Sequence, residues 1–381
     1  MRLSFVFGIV MTIFCISALL LPCLILYHFP HLVTSEAVTV DISIIIGIDD
    51  PVTPVSNLCS QNRHIRGGWI KRTNLTTSSK PIPCCSWDED SGNNPEQYCH
   101  ASQFKREGDG FKGPIGTLAF TGGHSCTCKN NQFQDEFEYV ASDCEFISWN
   151  ANLFCQVLGN KTILIIGDST VGQSASSIMN SIILDYFDTP QEGCQAQVMY
   201  QLADTLVGRD MGVLNRGRRW SEIVNDMKPD IVMLSAGPHV AGPISDFSEL
   251  LDEVLKEHEA SFPNVPLIWK SQFPGGCDNS PHWTEMGQTA LDYWENYTDK
   301  KGRILQYNWP QFVEFDRIAQ QKVPGPNRYF MDISPLFLRP DGHVGSQPGP
   351  YFHNDCLHFC QPVVDSLVPR VMLQTLLDIL G

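Results

Sequence analysis

Three side-chain types that can together move an acyl group stand far apart in this chain. Ser169 closes the tripeptide Gly167-Asp168-Ser169, while Asp355 and His358 lie three residues apart in Asp355-Cys356-Leu357-His358-Phe359-Cys360. A serine hydroxyl is a weak nucleophile until a base takes its proton, and an imidazole base needs an acceptor that fixes its tautomer. A spacing of three lets one helical turn or tight loop present Asp355 and His358 to a single point. A second pair, Asp341 and His343 in the run 339–345, offers the same acid–base types, although Asp341-Gly342 also fits an ordinary turn. Gly-Asp-Ser by itself also fits a plain helix cap. The downstream Asp–His pair is what makes Ser169 a candidate nucleophile.

The elements around these residues must bring them together. Thr162 to Ile166 is a mostly β-branched apolar run ending at Gly167, the pattern of a buried parallel strand. Beyond the turn, Val171, Ala175, Ile178, Met179, Ile182, Ile183 and Tyr186 fall at helical spacing, which puts Ser169 beside a helix N-terminus. Free N–H groups and the positive dipole end favour a developing oxyanion there. Further strands are expected at Val198–Val207, Asp230–Ser235, Pro266–Gln272 and Tyr329–Ile333. Helices are expected at Phe247–His258, at Thr284–Tyr297 and over the amphipathic run Val363–Leu380. Strands alternating with helices predict an α/β fold with a doubly wound parallel sheet. Ligands bind beyond the carboxyl ends of such strands, so Gly237 and His239, after the strand ending at Ser235, are placed at the pocket rim. Gly208, after the second strand, is the candidate second oxyanion donor.

These motifs resemble the SGNH-like PC-esterase family, in particular the trichome-birefringence-like polysaccharide O-acetyltransferases. The resemblance is carried by Gly167–Ser169, by Arg339–Gly345 and by Asp355–Cys360, and it extends over roughly the C-terminal 225 residues. Gly67-Gly68-Trp69 and the stretch from Asp143 to Cys155 are similar, more loosely, to landmarks of the plant family's N-terminal module. The resemblance implies an SGNH-hydrolase-like sheet, Ser169, Asp355 and His358 as catalytic residues, and an acetyl-serine intermediate. It further implies that Gly237 and His239 contribute to the oxyanion hole or acceptor site, and that Arg339, Asp341 and His343 line the active-site loop.

Composition bounds the setting. A hydrophobic content of 43% with 18% charged residues describes a globular chain rather than a disordered one. The formal charge of −16 excludes nucleic acid as the expected partner, because phosphate binding needs clustered Lys and Arg. The short group Arg216, Arg218 and Arg219 reads as local salt bridges or a substrate contact. Leu3 to Tyr27 carries no charge and is long enough to span a bilayer. Arg2 before it predicts a cytoplasmic N-terminus and a type II signal anchor, with a cleaved signal peptide as the rival. Twelve of the 14 cysteines follow this span, an even number that suits a lumenal disulfide framework. Sequons at Asn74, Asn160 and Asn296 agree with a secretory route.

The expected organisation is a cytoplasmic end and signal anchor over 1–30, a stem over 31–58, a cysteine-rich, loop-rich region over 59–155 and the catalytic domain over 156–381. No bound cofactor is expected; an acetyl ester or an acetyl-CoA-derived donor is a co-substrate, and a glycan is the acceptor. Two alternatives stay open: hydrolysis by a carbohydrate acetylesterase, and a glycan-binding protein on a decayed hydrolase fold. A metal reading also remains, since His343, His353, Asp355, Cys356, His358 and Cys360 are ligand types, although Cys356-x3-Cys360 departs from structural-zinc spacing. Trp220, Trp283, Trp294 and Trp309 are read as core or as platforms for sugar rings.

Overall fold

The structure is a computed structural model and describes Cys59 and residues 67–71, 105–107, 110–113, 116–119, 137–142, 144–188, 195–211, 215–275, 311–339, 342–343 and 357–380. All of these lie in one compact unit, Ser56–Gly381. The expected membrane span, the stem, the helix at Thr284–Tyr297, Asp341 and Asp355 fall outside the described residues. Among the described residues no helix is long and apolar enough to cross a membrane.

Ten strands are described: β1 Gly67–Lys71, β2 Lys105–Glu107, β3 Gly110–Gly113, β4 Gly116–Ala119, β5 Phe137–Ala141, β6 Thr162–Gly167, β7 Gln197–Leu202, β8 Ile231–Ser235, β9 Leu267–Lys270 and β10 Arg328–Met331. The helices are α1 Ala151–Leu158, α2 Ser169–Asp188, α3 Trp220–Met227, α4 Ile244–Ser261, α5 Phe312–Lys322, α6 Gln361–Asp365 and α7 Val368–Leu380. The last five strands form a parallel sheet in the order β10-β9-β8-β6-β7. The chain therefore winds outward from β6 to β7, then crosses to the other side for β8, β9 and β10. In sheets of this order the ligand crevice lies at the carboxyl end, where the winding reverses.

The central strand is buried on both faces, and its side chains alternate between two cores. Ile163 and Ile165 face a core shared with α1, α2 and α7, whereas Leu164 and Ile166 face one shared with α3, α4 and α5. This two-sided burial explains the unbroken apolar run in the sequence. Gly167 ends β6 where strand, helix and neighbouring strand converge. A Cβ there would lie 2.5 Å from Val171 Cγ2 and 2.6 Å from Ser235 O, so no larger residue fits without movement.

Several elements differ from expectation. The second strand stops at Leu202 rather than Val207, because Ala203 bridges to Gly217 and the chain turns through left-handed residues Leu206 and Gly208. The C-terminal helix is two helices. Pro369 has no N–H and its ring would crowd the carbonyl of Asp365, so α6 cannot run into α7. Within the region 59–155, β1 pairs antiparallel with β5, and α1 follows, capped by the Asn150 side chain accepting from Leu153 N at 2.9 Å. A disulfide joins Cys59 to Cys144, and Cys155 and Cys360 are disulfide-bonded too.

The β1–β5 ribbon packs on the same core as the sheet. Trp69 and Tyr139 bury against it, and Trp69 Nε1 donates to Pro335 O at 2.9 Å. Trp220 is fully buried among α3 and its neighbours, which makes it core; Trp283, Trp294 and Trp309 lie outside the described residues.

Candidate active site

Asp168 and Ser169 sit at the junction of β6 and α2. Asp168 Oδ1 accepts from Thr170 N at 2.8 Å and from Thr170 Oγ1 at 2.7 Å, closing the turn that starts the helix. The first helical bond runs from Gly172 N to Asp168 O at 3.0 Å. Ser169 N stands ahead of it at the helix start, next to its own hydroxyl, where the dipole favours negative charge.

His358 arrives from the other end of the chain. Its Nε2 lies 2.7 Å from Ser169 Oγ, across 189 residues of sequence. That is the geometry in which an imidazole removes a hydroxyl proton. Both residues are half-buried, enclosed by protein but open to a small reactant. Asp355, the expected acceptor for the imidazole, lies outside the described residues.

The walls of the crevice come from the loops after β7 and β8. Asp204 is fully buried just beyond β7, and His239 lies beyond β8; His239 Nε2 is 3.5 Å from Asp204 Oδ1. Since β7 and β8 flank β6, this contact spans the end of the central strand. Arg216 secures Asp204 from outside: its Nε and backbone N each donate to Oδ2 at 2.8 Å. Hydrogen bonding to Asp204 raises the Arg216 pKa, so the guanidinium stays charged. Ala241 N donates to Met211 O at 2.9 Å and ties the two loops together. Tyr200 lies beneath them, its hydroxyl 2.9 Å from Asp168 O and 3.1 Å from Gly167 O. Burial first, then the carboxylates of Asp168 and Asp204, hold its pKa well above the phenol range, so it remains a donor.

The other predicted residues are placed as follows. Gly237 sits beside Ser235 and Ala236, against the Gln272 amide, which donates to Ala236 O at 2.9 Å. Gly208 adopts φ +71° in the loop after β7, beside Arg219, in a backbone conformation that suits glycine. Arg339 is fully buried, its guanidinium 4.8 Å from the Trp69 ring centre and 5.2 Å from that of Phe137. It joins the β1–β5 ribbon to the segment leading toward His343. His343 is fully buried with its ring 4.1 Å from Phe359, and its backbone bridges to Phe359. Arg216, Arg218 and Arg219 all form salt bridges, with Asp204, with Glu222 and Asp226, and with Glu253 and Glu257. Of the residues behind the metal reading, Cys360 is bound in a disulfide and so is no thiolate ligand.

Sequence reasoning missed Asp204, Tyr200 and Gln173. Gln173 is fully buried one turn after Ser169, on a helix face that it shares with Thr170, Ser176 and Ser177, and a long polar side chain at i+4 from a nucleophile was the readable signal. Lys270 and Asp316 were also missed. Lys270 is fully buried at the end of β9, and Asp316 is partly buried on α5, accepting from Gln272 N at 2.8 Å; burial lowers the Lys270 pKa to about 8 and raises that of Asp316.

The fold and site thus define a parallel α/β protein with a serine–histidine pair at the switch point of its sheet. Compared with protein-family models and with curated proteins, the chain matches none.

Proposed function

We propose that the protein transfers an acetyl group through an acetyl-Ser169 intermediate. The observation that carries this reading is the 2.7 Å contact between His358 Nε2 and Ser169 Oγ at the N-terminus of α2. His358, oriented by Asp355, takes the hydroxyl proton as Ser169 attacks the carbonyl of an acetyl ester or activated acetyl donor. N–H groups at the helix start hold the oxyanion, and the alcohol of the donor leaves with the proton from His358. The acceptor is then a glycan hydroxyl, aligned in the crevice near His239, which His358 deprotonates for the second half-reaction. The motif resemblance to polysaccharide O-acetyltransferases of the PC-esterase family supports a polysaccharide as acceptor. The uncharged N-terminal run, the cysteines and the sequons support a single-pass Golgi membrane protein with a lumenal site. Glycosidase-sensitive gel mobility and protection of the C-terminal part in sealed vesicles would check that topology.

The half-exposure of both Ser169 and His358 favours one second reading, hydrolysis by water as an acetylesterase. The test is mass spectrometry of the full-length protein given an aryl acetate. A mass gain of one acetyl on Ser169, absent in Ser169→Ala, is expected. An unmodified Ser169, or turnover in Ser169→Ala within tenfold of the parent, would remove the nucleophile. Product analysis with and without an oligosaccharide then separates transfer from hydrolysis.

A further inference from the structure

We infer that Gln173 is a positioning residue that holds His358 against Ser169 by clamping the backbone of the next residue, Phe359. This inference rests on the acyl-transfer reading for its kinetic meaning. Gln173 Nε2 donates to Phe359 O at 2.7 Å, and Gln173 Oε1 accepts from Phe359 N at 3.2 Å. A single amide thus satisfies both backbone groups of one residue, as a neighbouring strand would. Only one orientation of the amide meets a carbonyl with NH₂ and an N–H with oxygen, so the contact fixes direction as well as distance.

The clamp sits where it controls reach. Ser169 and Gln173 are one helical turn apart on α2, and His358 and Phe359 are adjacent. The helix therefore grips the incoming strap twice, once through the reacting hydroxyl and once through the amide. Gln361 adds a weaker tie, its Nε2 lying 3.4 Å from Gln173 O. On the far side, Cys360 N donates to Gly342 O at 2.7 Å, and Phe359 packs on His343 and Phe273. The strap is held on both edges, and Gln173 connects it to the element bearing the nucleophile by a buried two-point bond. Gln173 is itself completely buried, so water cannot substitute for the lost partners. A shift of about 1 Å in a base can cost about 100-fold in rate.

The experiment compares single-turnover acetylation of Ser169 in the full-length parent, Gln173→Leu and Gln173→Glu at pH 8 and pH 5.5. Gln173→Leu fills the space without either hydrogen bond and should slow acetylation about 100-fold at both values, with little change in donor KM. Gln173→Glu distinguishes positioning from packing. Ionised, its carboxylate repels Phe359 O; protonated, it restores one donor and one acceptor. Its rate relative to the parent should therefore rise at least tenfold from pH 8 to pH 5.5, whereas the ratio for Gln173→Leu stays flat. Parent-like rates in Gln173→Leu, or a flat ratio in Gln173→Glu, would overturn the inference. Loss of helical circular dichroism in both variants would also overturn it, making Gln173 a folding residue. If the parent itself leaves Ser169 unacetylated, the acyl-transfer reading fails instead. The clamp is then read from the His358 imidazole resonances, which should shift or broaden in Gln173→Leu; unchanged resonances would sink it.

Discussion

At the scale of single residues, the two histidines of the C-terminal motifs occupy different environments. His358 reaches the Ser169 hydroxyl from a half-exposed position, whereas His343 is enclosed against the Phe359 ring. His358→Ala is therefore expected to abolish acetyl-enzyme formation, since acylation needs a base on the hydroxyl. His343→Ala is expected to leave acetylation within tenfold and to lower stability by about 1–3 kcal/mol, as removal of a buried ring does. Single-turnover acetylation and urea melts of both variants check this. Loss of acetylation in His343→Ala with normal rates in His358→Ala would move the base to the run 339–345.

At the scale of elements, the β6–α2 junction is the least adaptable part of the site. Strand and helix approach so closely that Gly167 has no space for a methyl group, with backbone on one side and Val171 on the other. Gly167→Ala is expected to cost about 1–3 kcal/mol and to displace Ser169 relative to His358. Denaturant melts and acetylation rates should fall together; a variant with parental stability and rate would contradict the packing argument. The junction was legible in sequence, because a β-branched run, a Gly-Asp-Ser turn and a helical period are all local patterns. The loop after β7 was not. Its shape depends on Ala203 bridging to Gly217 and on Arg216 reaching Asp204, contacts between residues more than ten positions apart with no periodic signal.

At the scale of the whole molecule, the carboxyl end of the sheet encloses an ammonium that water solvates in the unfolded chain. Lys270 Nζ donates to Ser271 O at 2.7 Å and lies 4.6 Å from the Phe273 ring centre, with its pKa lowered by burial to about 8. An unfolded lysine keeps its proton to about 10.4. Between these values the unfolded chain binds more protons, so folding stability rises with pH across this window. Lys270→Met removes that rise. The stability difference between parent and variant should thus shift by roughly 3 kcal/mol in the parent's favour from pH 8 to pH 10.5, read by urea titration. A constant difference would show that the ammonium is not desolvated. Asp316 has the opposite slope: its raised pKa makes stability fall as pH rises from the ordinary carboxyl range toward the folded value.

The sequence by itself determined the α/β alternation, the central strand and the helix behind Ser169, and it paired Ser169 with His358, which lie 2.7 Å apart in the structure. Each is written in local periodicity or in residue types that few other uses require. It offered local salt bridges or a substrate contact for Arg216, Arg218 and Arg219, which form salt bridges in the structure. It did not determine that the region before residue 155 would contribute a ribbon to the same core, since β1 and β5 find each other across about 70 residues. Nor did it distinguish an Arg339 at the pocket from one buried between Trp69 and Phe137. Only the tertiary structure decided those points, and it alone brought Gln173 to Phe359 and His239 to Asp204. Such contacts depend on which strand lies beside which, and strand order is set by the burial of whole faces rather than by any run of neighbouring residues.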